Sequence, residues 1–320
     1  MTAVAATTVT DYATRLRAIA DMRSKELFFV TGLPRSGSTW LTILLNAHPR
    51  VSCAGEGHFL SSLAPQLSHA VTSYNAYIGH KNKDVLQGVI TFPQLDAPDF
   101  MFLLTSTILL LMASSVKARR VRVVGEKTPG DLIGLPFLNQ IFPTAKFIHI
   151  LRDPRDCAVS TWFHNIRMHP EGACVVPATI HGQGNSSKQV QLKIPTLDAF
   201  VPHYAQMWLK TITRWEQFAA TAPDCCMMVR YEDLVTQSEA ELTRVFKFLG
   251  VSTTPTVFGK CIDAGTFTRL SGGRPPGVED RGSLLRQGLP GDWRNHLGQG
   301  DELTCRAIAG GAMTRYGYVD

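Results

Sequence analysis

A strand, a glycine-bounded turn and a helix follow one another directly between residues 27 and 49. Residues 27–31 form a continuous apolar run, which is typical of a parallel strand covered on both faces. The run ends at Gly32, the turn extends to Gly37, and apolar residues then recur at helical spacing until Pro49. In such a turn the backbone N–H groups and the N-terminal end of the helix can bind an anion. The segment therefore predicts an α/β fold with a phosphate-binding loop.

Strand-like and helical segments alternate along the rest of the chain, which predicts a central parallel sheet flanked by helices. The strand-like runs are residues 121–124, 146–151 and 226–230. The helical patterns are residues 132–141, 155–166, 201–220 and 238–248, the last with a capping box of Ser238 and Glu241 and with Gly250 after its end. No linker rich in Pro, Ser or Gly divides the chain. We expect one P-loop-like α/β domain over residues 1–320.

Two features of these elements concern the core. His149 lies within the run 146–151, and we expect it to be a core histidine. The helix over 201–220 carries large apolar side chains that could line a pocket for an acceptor, although this spacing is more typical of plain core. These side chains are Tyr204, Trp208, Ile212, Trp215 and Phe218.

Residues 168–197 differ from the rest of the chain. They are rich in glycine, serine and asparagine and show little periodicity. A long insertion of this kind is either a lid over a binding site or a surface loop. The insertion directly follows a candidate ligand-binding segment, which is consistent with a lid. Both interpretations stay open.

Composition and charge indicate a cytoplasmic protein with an anionic ligand. The net charge of +6 favours an anion but does not by itself distinguish a nucleotide, a nucleic acid or a membrane. The seven cysteines include no CxxC pair, as expected for reduced thiols. Residues 1–22 do not resemble a signal peptide. The longest apolar run, residues 100–113, is shorter than a bilayer requires, so we expect a buried helix and no integral membrane segment.

The turn after the first strand departs from the P-loop of nucleoside triphosphatases at one decisive position. Those enzymes need a lysine after the last glycine to reach the β- and γ-phosphates. This chain has Ser38 there, and its cation is Arg35, inside the turn. The departure disfavours a P-loop kinase, which is one alternative for this chain.

Residues 34–40 (Pro-Arg-Ser-Gly-Ser-Thr-Trp) resemble the 5′-phosphosulfate loop of sulfotransferases. That family uses 3′-phosphoadenosine 5′-phosphosulfate (PAPS) as the sulfuryl donor. The resemblance implies that Arg35 contacts the phosphosulfate and that Trp40 stacks on adenine; without the motif, Trp40 would be interpreted as a core residue. The implied 5′ site comprises Arg35, Ser36, Gly37, Ser38, Thr39 and Trp40.

Residues 151–160 resemble the 3′-phosphate motif of the same family, in which an Arg and a Ser clamp the phosphate. The corresponding residues are Arg152 and Ser160. A guanidinium group can bind phosphate oxygens bidentately, and a hydroxyl adds a further donor. The alternative is that Arg152 only forms a salt bridge with Asp153 or Asp156.

Residues 286–293 are similar to the RKGxxGDW segment of cytosolic sulfotransferases, which completes the 3′-phosphate site. Arg286 and Gly288 match, but Gln287 replaces a cation and can only donate hydrogen bonds. Tyr231 falls where the family often has a tyrosine near the adenine, although a tyrosine that ends a central strand is commonly core.

The general base cannot be the usual one of cytosolic sulfotransferases. Those enzymes use a His in a Lys-Thr-His segment, and here Pro129 follows Lys127 and Thr128. Residues 47–56 instead resemble the tyrosylprotein and heparan sulfotransferases, which carry a Gly-Glu at this point. The resemblance implies Glu56 as general base, with His58 as the nearest alternative.

The expected reaction is in-line transfer of a sulfuryl group from PAPS to a hydroxyl or amine. Lys127 and Arg35 would stabilise the charge on the transferred group, so no metal is needed. The acceptor is open: a small molecule, a glycan, a lipid or a peptide, but not a nucleic acid. Oligomeric state cannot be inferred from the sequence. A second alternative is a nucleotide-binding protein of the same fold without activity.

Overall fold

The structure is a computed structural model that describes residues 9–116, 120–169, 174–181 and 187–319. Among these residues a five-stranded parallel sheet has the strand order β2-β3-β1-β4-β7. Its strands are β1 (Glu26–Gly32), β2 (Val51–Ala54), β3 (Val123–Lys127), β4 (Lys146–Leu151) and β7 (Cys226–Arg230). A separate antiparallel hairpin consists of β5 (Cys174–His181) and β6 (Ser187–Ile194).

Helices flank the sheet, so the α/β class expected from the sequence is confirmed. They are α1 (Val9–Arg23), α2 (Ser38–Asn46), α3 (Ala64–His80), α4 (Ala97–Ser115), α5 (Leu135–Ile141), α6 (Pro154–Met168), α7 (Leu197–Thr221), α8 (Tyr231–Thr236), α9 (Ser238–Leu249), α10 (Pro255–Ala264), α11 (Phe267–Leu270) and α12 (Gln299–Arg315).

The central strand β1 is buried from Leu27 to Gly32, and both of its faces are covered. Phe28 and Val30 pack in a core cluster with side chains of α2 and α9. Phe29 points to the other face and packs against α4 and α7. All strands of this sheet are parallel, so their carboxyl ends lie at one edge, and the loops after β1, β3, β4 and β7 meet there.

Two local predictions need correction. The capping box of Ser238 and Glu241 is wrong: the Ser238 hydroxyl donates to the Leu234 carbonyl at 2.7 Å, and Glu241 pairs with Arg244. The helix ends as expected at Gly250, whose φ of 74° is left-handed. The short strand β2 was not predicted, because four residues carry too little periodicity to identify a strand.

The insertion at 168–197 contains regular structure that the sequence analysis missed. Residues 174–181 and 187–194 pair as an antiparallel hairpin, with Cys174 opposite Ile194. The signal was present, because Val190, Leu192 and Ile194 alternate with polar residues. Residues 170–173 and 182–186 of the insertion lie outside the described part of the chain. Its role as a lid stays a prediction.

The apolar run at 100–113 belongs to a longer helix than expected. A reciprocal capping box of Asp96 and Asp99 begins α4, which has 19 residues. Among the described helices it alone is long and apolar enough to cross a membrane, so the argument from length was wrong. Only 22% of the 18-residue apolar stretch in this helix is buried inside the protein. Leu104, Ile108 and Met112 form its inward face.

The aromatic residues of α7 are core, as their spacing favoured, and two of them also hold the loops at the edge of the sheet. Tyr204 and Trp208 are buried. The Tyr204 hydroxyl donates to the carbonyl of Pro34 at 3.1 Å. The Trp208 indole N–H donates to the carbonyl of Arg152 at 2.9 Å. The core therefore fixes the backbone of both predicted phosphate-binding segments.

His149 makes the stability of the fold depend on pH. Its ring is 1% exposed and stacks on Trp215 with centroids 4.9 Å apart, and burial lowers its pKa to about 3. Below pH ~6.5 the unfolded chain takes up a proton at this histidine that the folded chain does not. The contribution of His149 to stability is therefore full above pH ~6.5 and is lost as the pH falls from there towards 3.

We expect His149→Phe to flatten this pH dependence. The wild type should lose up to about 1.4 kcal/mol of unfolding free energy per pH unit because of this residue. Urea unfolding at pH 7 and pH 5 measures the difference, and the exposed His69→Phe is the matched control. Equal slopes for the wild type and His149→Phe would contradict the assignment.

Candidate nucleotide-binding site

A cavity of about 320 Å³ lies at the carboxyl edge of the sheet, within the size range of small-ligand sites. The loop after β1, the start of α6 and a segment near residue 287 form its walls. Eleven of the predicted nucleotide-binding residues line it: Arg35, Gly37, Ser38, Thr39, Trp40, Arg152, Ser160, Tyr231, Arg286, Gln287 and Gly288. The structure thus brings together three segments that are far apart in the sequence.

The loop between β1 and α2 has a shape that only particular residues allow. Gly37 has φ 99°, and a Cβ atom there would lie 2.5 Å from the ring of Tyr231. Arg35 also has a left-handed φ, 70°. The hydroxyl of the buried Ser36 donates to the Leu33 carbonyl at 2.7 Å, so Ser36 shapes the loop and does not line the cavity.

Two arginines meet at one end of the cavity. Arg35 donates from Nε to the Ser160 hydroxyl at 3.2 Å, and Arg152 donates from Nη1 to the carbonyl of Arg35 at 3.3 Å. Burial and then the charge of Arg152 lower the pKa of Arg35. Cations held together in this way favour an anion between them.

Arg152 is not simply a salt-bridge partner. Of the two carboxylates in the salt-bridge alternative, Asp153 pairs with Arg155 at 2.8 Å, but Asp156 does form an ion pair with Arg152. Asp156 lies 3.6 Å from Arg152, and the Tyr231 ring lies 4.3 Å from its guanidinium carbon. In the described part of the chain, the buried Nε atoms of Arg152 and Arg286 have no hydrogen-bond acceptor. Both arginines themselves line the cavity.

Aromatic side chains line the end of the cavity around Trp40, and Tyr231 joins this end to Arg152. Trp40 donates from its indole N–H to the carbonyl of Gly265 at 2.7 Å and meets Tyr231 edge-on, with centroids 5.6 Å apart. Phe267 also lines this end. Gly288 has φ 78°, and a Cβ there would lie 2.2 Å from the Phe267 ring. Sequence reasoning missed Phe267, which stands in no motif.

The segment with Arg286 is held by ion pairs and by a second arginine. Arg286 pairs with Glu279 at 2.6 Å and with Asp292, so part of its charge is already compensated. Arg274, which the sequence analysis missed, donates to the carbonyls of Arg286, at 2.7 Å, and of Leu285. These bonds fix the backbone of this part of the cavity wall, and Arg286 packs on the ring of Phe163 in α6 at 4.7 Å.

The predicted catalytic residues form a group beside the cavity. Lys127 donates to a carboxylate oxygen of Glu56 at 2.7 Å and to the hydroxyl of Thr39 at 3.4 Å. The other oxygen of Glu56 lies 3.4 Å from His58 Nε2. The Glu56 side chain is 43% exposed, so an acceptor can reach it from solvent. Thr39 connects this group to the cavity wall.

Two residues of β3 and its following loop, which sequence reasoning did not assign to the site, hold the segment with Glu56 in place. The buried Glu126 accepts the backbone N–H of Gly57 at 2.6 Å. The hydroxyl of Thr128 accepts the backbone N–H of His58 at 3.3 Å and donates to Glu126. Within the described residues, no three side chains of His, Cys, Asp or Glu form a group suited to a metal ion.

The fold is a parallel α/β sheet with a P-loop-like turn, and cationic and aromatic side chains line one cavity at its carboxyl edge. Solved structures share this fold. Mouse sulfotransferase SULT7A1 complexed with PAP has a TM-score of 0.54 and 16% identity, over 94% of this chain and 93% of that one. Sulfotransferase STF9 from Mycobacterium avium has a TM-score of 0.51 and 11% identity, over 96% and 81%.

The sequence comparison identifies the family. The model of the Sulfotransferase family matches residues 28–255, and the chain belongs to that family. The Gallus gallus protein-tyrosine sulfotransferase 2 is 25% identical over 73% of this chain and 54% of its own length. The Mycobacterium tuberculosis omega-hydroxy-beta-dihydromenaquinone-9 sulfotransferase Stf3 is 26% identical over 70% of this chain and 62% of its own length. The chain therefore spans about half to two thirds of these two relatives.

We expect Arg152→Ala to weaken the binding of 3′-phosphoadenosine 5′-phosphate (PAP) by about 10- to 100-fold, since it removes a charged donor from a buried site. The affinity for AMP, which has no 3′-phosphate, should fall much less. Isothermal titration calorimetry at fixed salt measures both affinities, and the exposed Arg306→Ala is the control for charge. An equal loss for PAP and AMP would contradict a 3′-phosphate site at Arg152.

Proposed function

We propose that the protein transfers the sulfuryl group of PAPS to a hydroxyl or amine of an acceptor. The observation that carries this proposal is that Arg35 and Arg152 line one cavity together with the aromatic side chains of Trp40, Tyr231 and Phe267. The pair of Lys127 and Glu56 adjoins the cavity through Thr39. An adenosine with phosphates on both sides of the ribose matches this distribution of charge and aromatic surface.

The residues around the cavity divide into three groups by the part of the donor they would bind. Arg35 and the backbone N–H groups that begin α2 suit the 5′-phosphosulfate. Arg152, Ser160 and the segment 286–288 suit the 3′-phosphate. Trp40, Tyr231 and Phe267 suit the adenine. The residues present thus fit PAPS as the donor substrate.

In the proposed reaction, the acceptor oxygen or nitrogen attacks the sulfur in line with the bridging oxygen. A new bond to sulfur forms, the bond from sulfur to the 5′-phosphate oxygen breaks, and PAP leaves. Glu56 takes the proton of the acceptor. Lys127 lies between Glu56 and Thr39, where its charge can stabilise the developing charge on the leaving phosphate and the transferred group. The scheme needs no metal.

The acceptor site would lie at the exposed side of Glu56 and His58. The relatives' names include a protein tyrosine and an omega-hydroxylated menaquinone, both of which offer hydroxyl groups. Of the acceptor classes that the sequence left open, these names support a peptide or a lipid hydroxyl. We also propose a cytoplasmic location, in which the inward face of α4 packs on the protein core.

We expect Glu56→Gln to reduce turnover by about 100-fold or more while PAP affinity stays within a factor of two to three. The amide keeps the shape of the side chain but cannot take the proton. His58→Asn is the matched control, because His58 also faces the exposed side of the group. Turnover is measured with labelled PAPS on an acceptor panel, and affinity by calorimetry.

The controls separate the two candidate bases. Normal turnover of Glu56→Gln together with collapse of His58→Asn would move the role of base to His58. Arg35→Ala should also lose about 100-fold or more in turnover, the usual effect of one lost oxyanion donor. Near-normal activity of that variant would refute the contact of Arg35 with the transferred group.

A further inference from the structure

Asp156, in the first turn of α6, binds a segment that lies 135 residues further along the chain. The residue is 2% exposed. Its Oδ2 accepts the backbone N–H of Gly291 at 2.7 Å, and its Oδ1 accepts that of Trp293 at 3.0 Å. Arg152 Nη2 lies 3.6 Å from the same Oδ2. One carboxylate therefore contacts a cavity arginine and the backbone that follows Gly288.

The segment held by Asp156 is joined to Arg286 in the cavity wall. Asp292 begins a short 3₁₀ turn, Asp292–Asn295, and accepts the side-chain amide of Asn295 at 3.0 Å. The Asp292 carboxylate also pairs with Arg286, which lines the cavity. A displacement of Gly291 would therefore displace Arg286 and its neighbour Gly288.

We propose that Asp156 is a positioning residue that fixes the separation between Arg152 and the cavity segment 286–288, and thereby sets the affinity for the 3′-phosphate of the nucleotide. The inference rests on the proposed function. Arg152 and the segment 286–288 belong to different parts of the chain. Their relative position must therefore be fixed either before the nucleotide binds or during binding. A link between them through one buried carboxylate preorganises the clamp and removes that cost from the binding step.

The neighbouring Asp153 provides a matched comparison on the same turn of α6. It is also a buried carboxylate, but it holds Arg155, which donates to Glu302 at 3.0 Å and to the carbonyl of Tyr318 at 2.7 Å. Asp153 thus ties α6 to the C-terminal part of the chain. Arg155 also stacks on the Trp293 ring at 3.9 Å, so among the described residues Asp153 reaches the segment 286–293 through this ring contact and not through a hydrogen bond of its own. A purely structural role for both carboxylates would give the same binding behaviour for both variants.

The test compares Asp156→Asn with Asp153→Asn. The asparagine keeps the shape of the side chain but presents an NH₂ group where the carboxylate accepted an N–H, so at least one of the two bonds is lost. We expect Asp156→Asn to lower the ratio of PAP affinity to AMP affinity by about 10-fold, with AMP affinity changed by less than about threefold. Asp153→Asn should lower the melting temperature and leave that ratio unchanged within about threefold.

An unchanged ratio in Asp156→Asn, or an equal fall of the ratio in Asp153→Asn, would overturn the proposal. If Asp156→Asn does not fold, hydrogen exchange on the wild type decides: PAP should slow exchange at the amides of Gly291 and Trp293, whereas AMP should not. Equal protection by both nucleotides would overturn it. A wild type that binds PAP no better than AMP would refute the proposed function itself, and this inference with it.

Discussion

The site depends on holding two guanidinium groups of the same charge close together. Arg35 and Arg152 come from different loops, and the charge of Arg152, next to burial, lowers the pKa of Arg35. Their repulsion is opposed by hydrogen bonds to neutral acceptors, the Ser160 hydroxyl and the Arg35 carbonyl. A phosphate bound at either arginine would add charge-assisted hydrogen bonds to its guanidinium group. The cavity is thus preorganised for a negatively charged ligand.

The hydrophobic core supplies the rigidity that this arrangement requires. The parallel pairing of β1 with β4 places the two loops at one edge of the sheet. On the core side of these loops, the side chains of Tyr204 and Trp208 in α7 donate hydrogen bonds to the carbonyls of Pro34 and Arg152. These buried aromatic side chains of the core therefore also orient the two loops that carry Arg35 and Arg152. Asp156 extends the same frame to the segment that carries Arg286.

Much of the fold and the site could be predicted from the sequence. The buried strands at 146–151 and 226–230 have the predicted bounds, because continuous apolar runs mark strands covered on both faces. The segments that line the cavity could be found because they carry glycines and arginines next to strands. Eleven of the residues predicted to bind the nucleotide do line the cavity.

The rest depended on contacts between distant segments. The roles of Glu126 and Thr128 follow from hydrogen bonds to Gly57 and His58, about 70 residues away, which no local pattern indicates. Phe267 reaches the cavity from a four-residue helix outside any motif. The hairpin at 174–194 had a period of two that glycine-rich neighbours obscured. The helix α4 was underestimated because its polar first turn lies outside the apolar run.

The central claim is that two separate cationic subsites recognise phosphates on both sides of one ribose. Calorimetry with PAP and with adenosine 2′,5′-bisphosphate tests it most directly, because these isomers carry the same charge and differ only in the position of one phosphate. The account predicts that PAP binds at least about 10-fold more tightly, as one misplaced charge-assisted contact would cost. Equal affinities would show that the cavity binds negative charge regardless of the position of the phosphate on the ribose. That result would contradict two position-specific subsites.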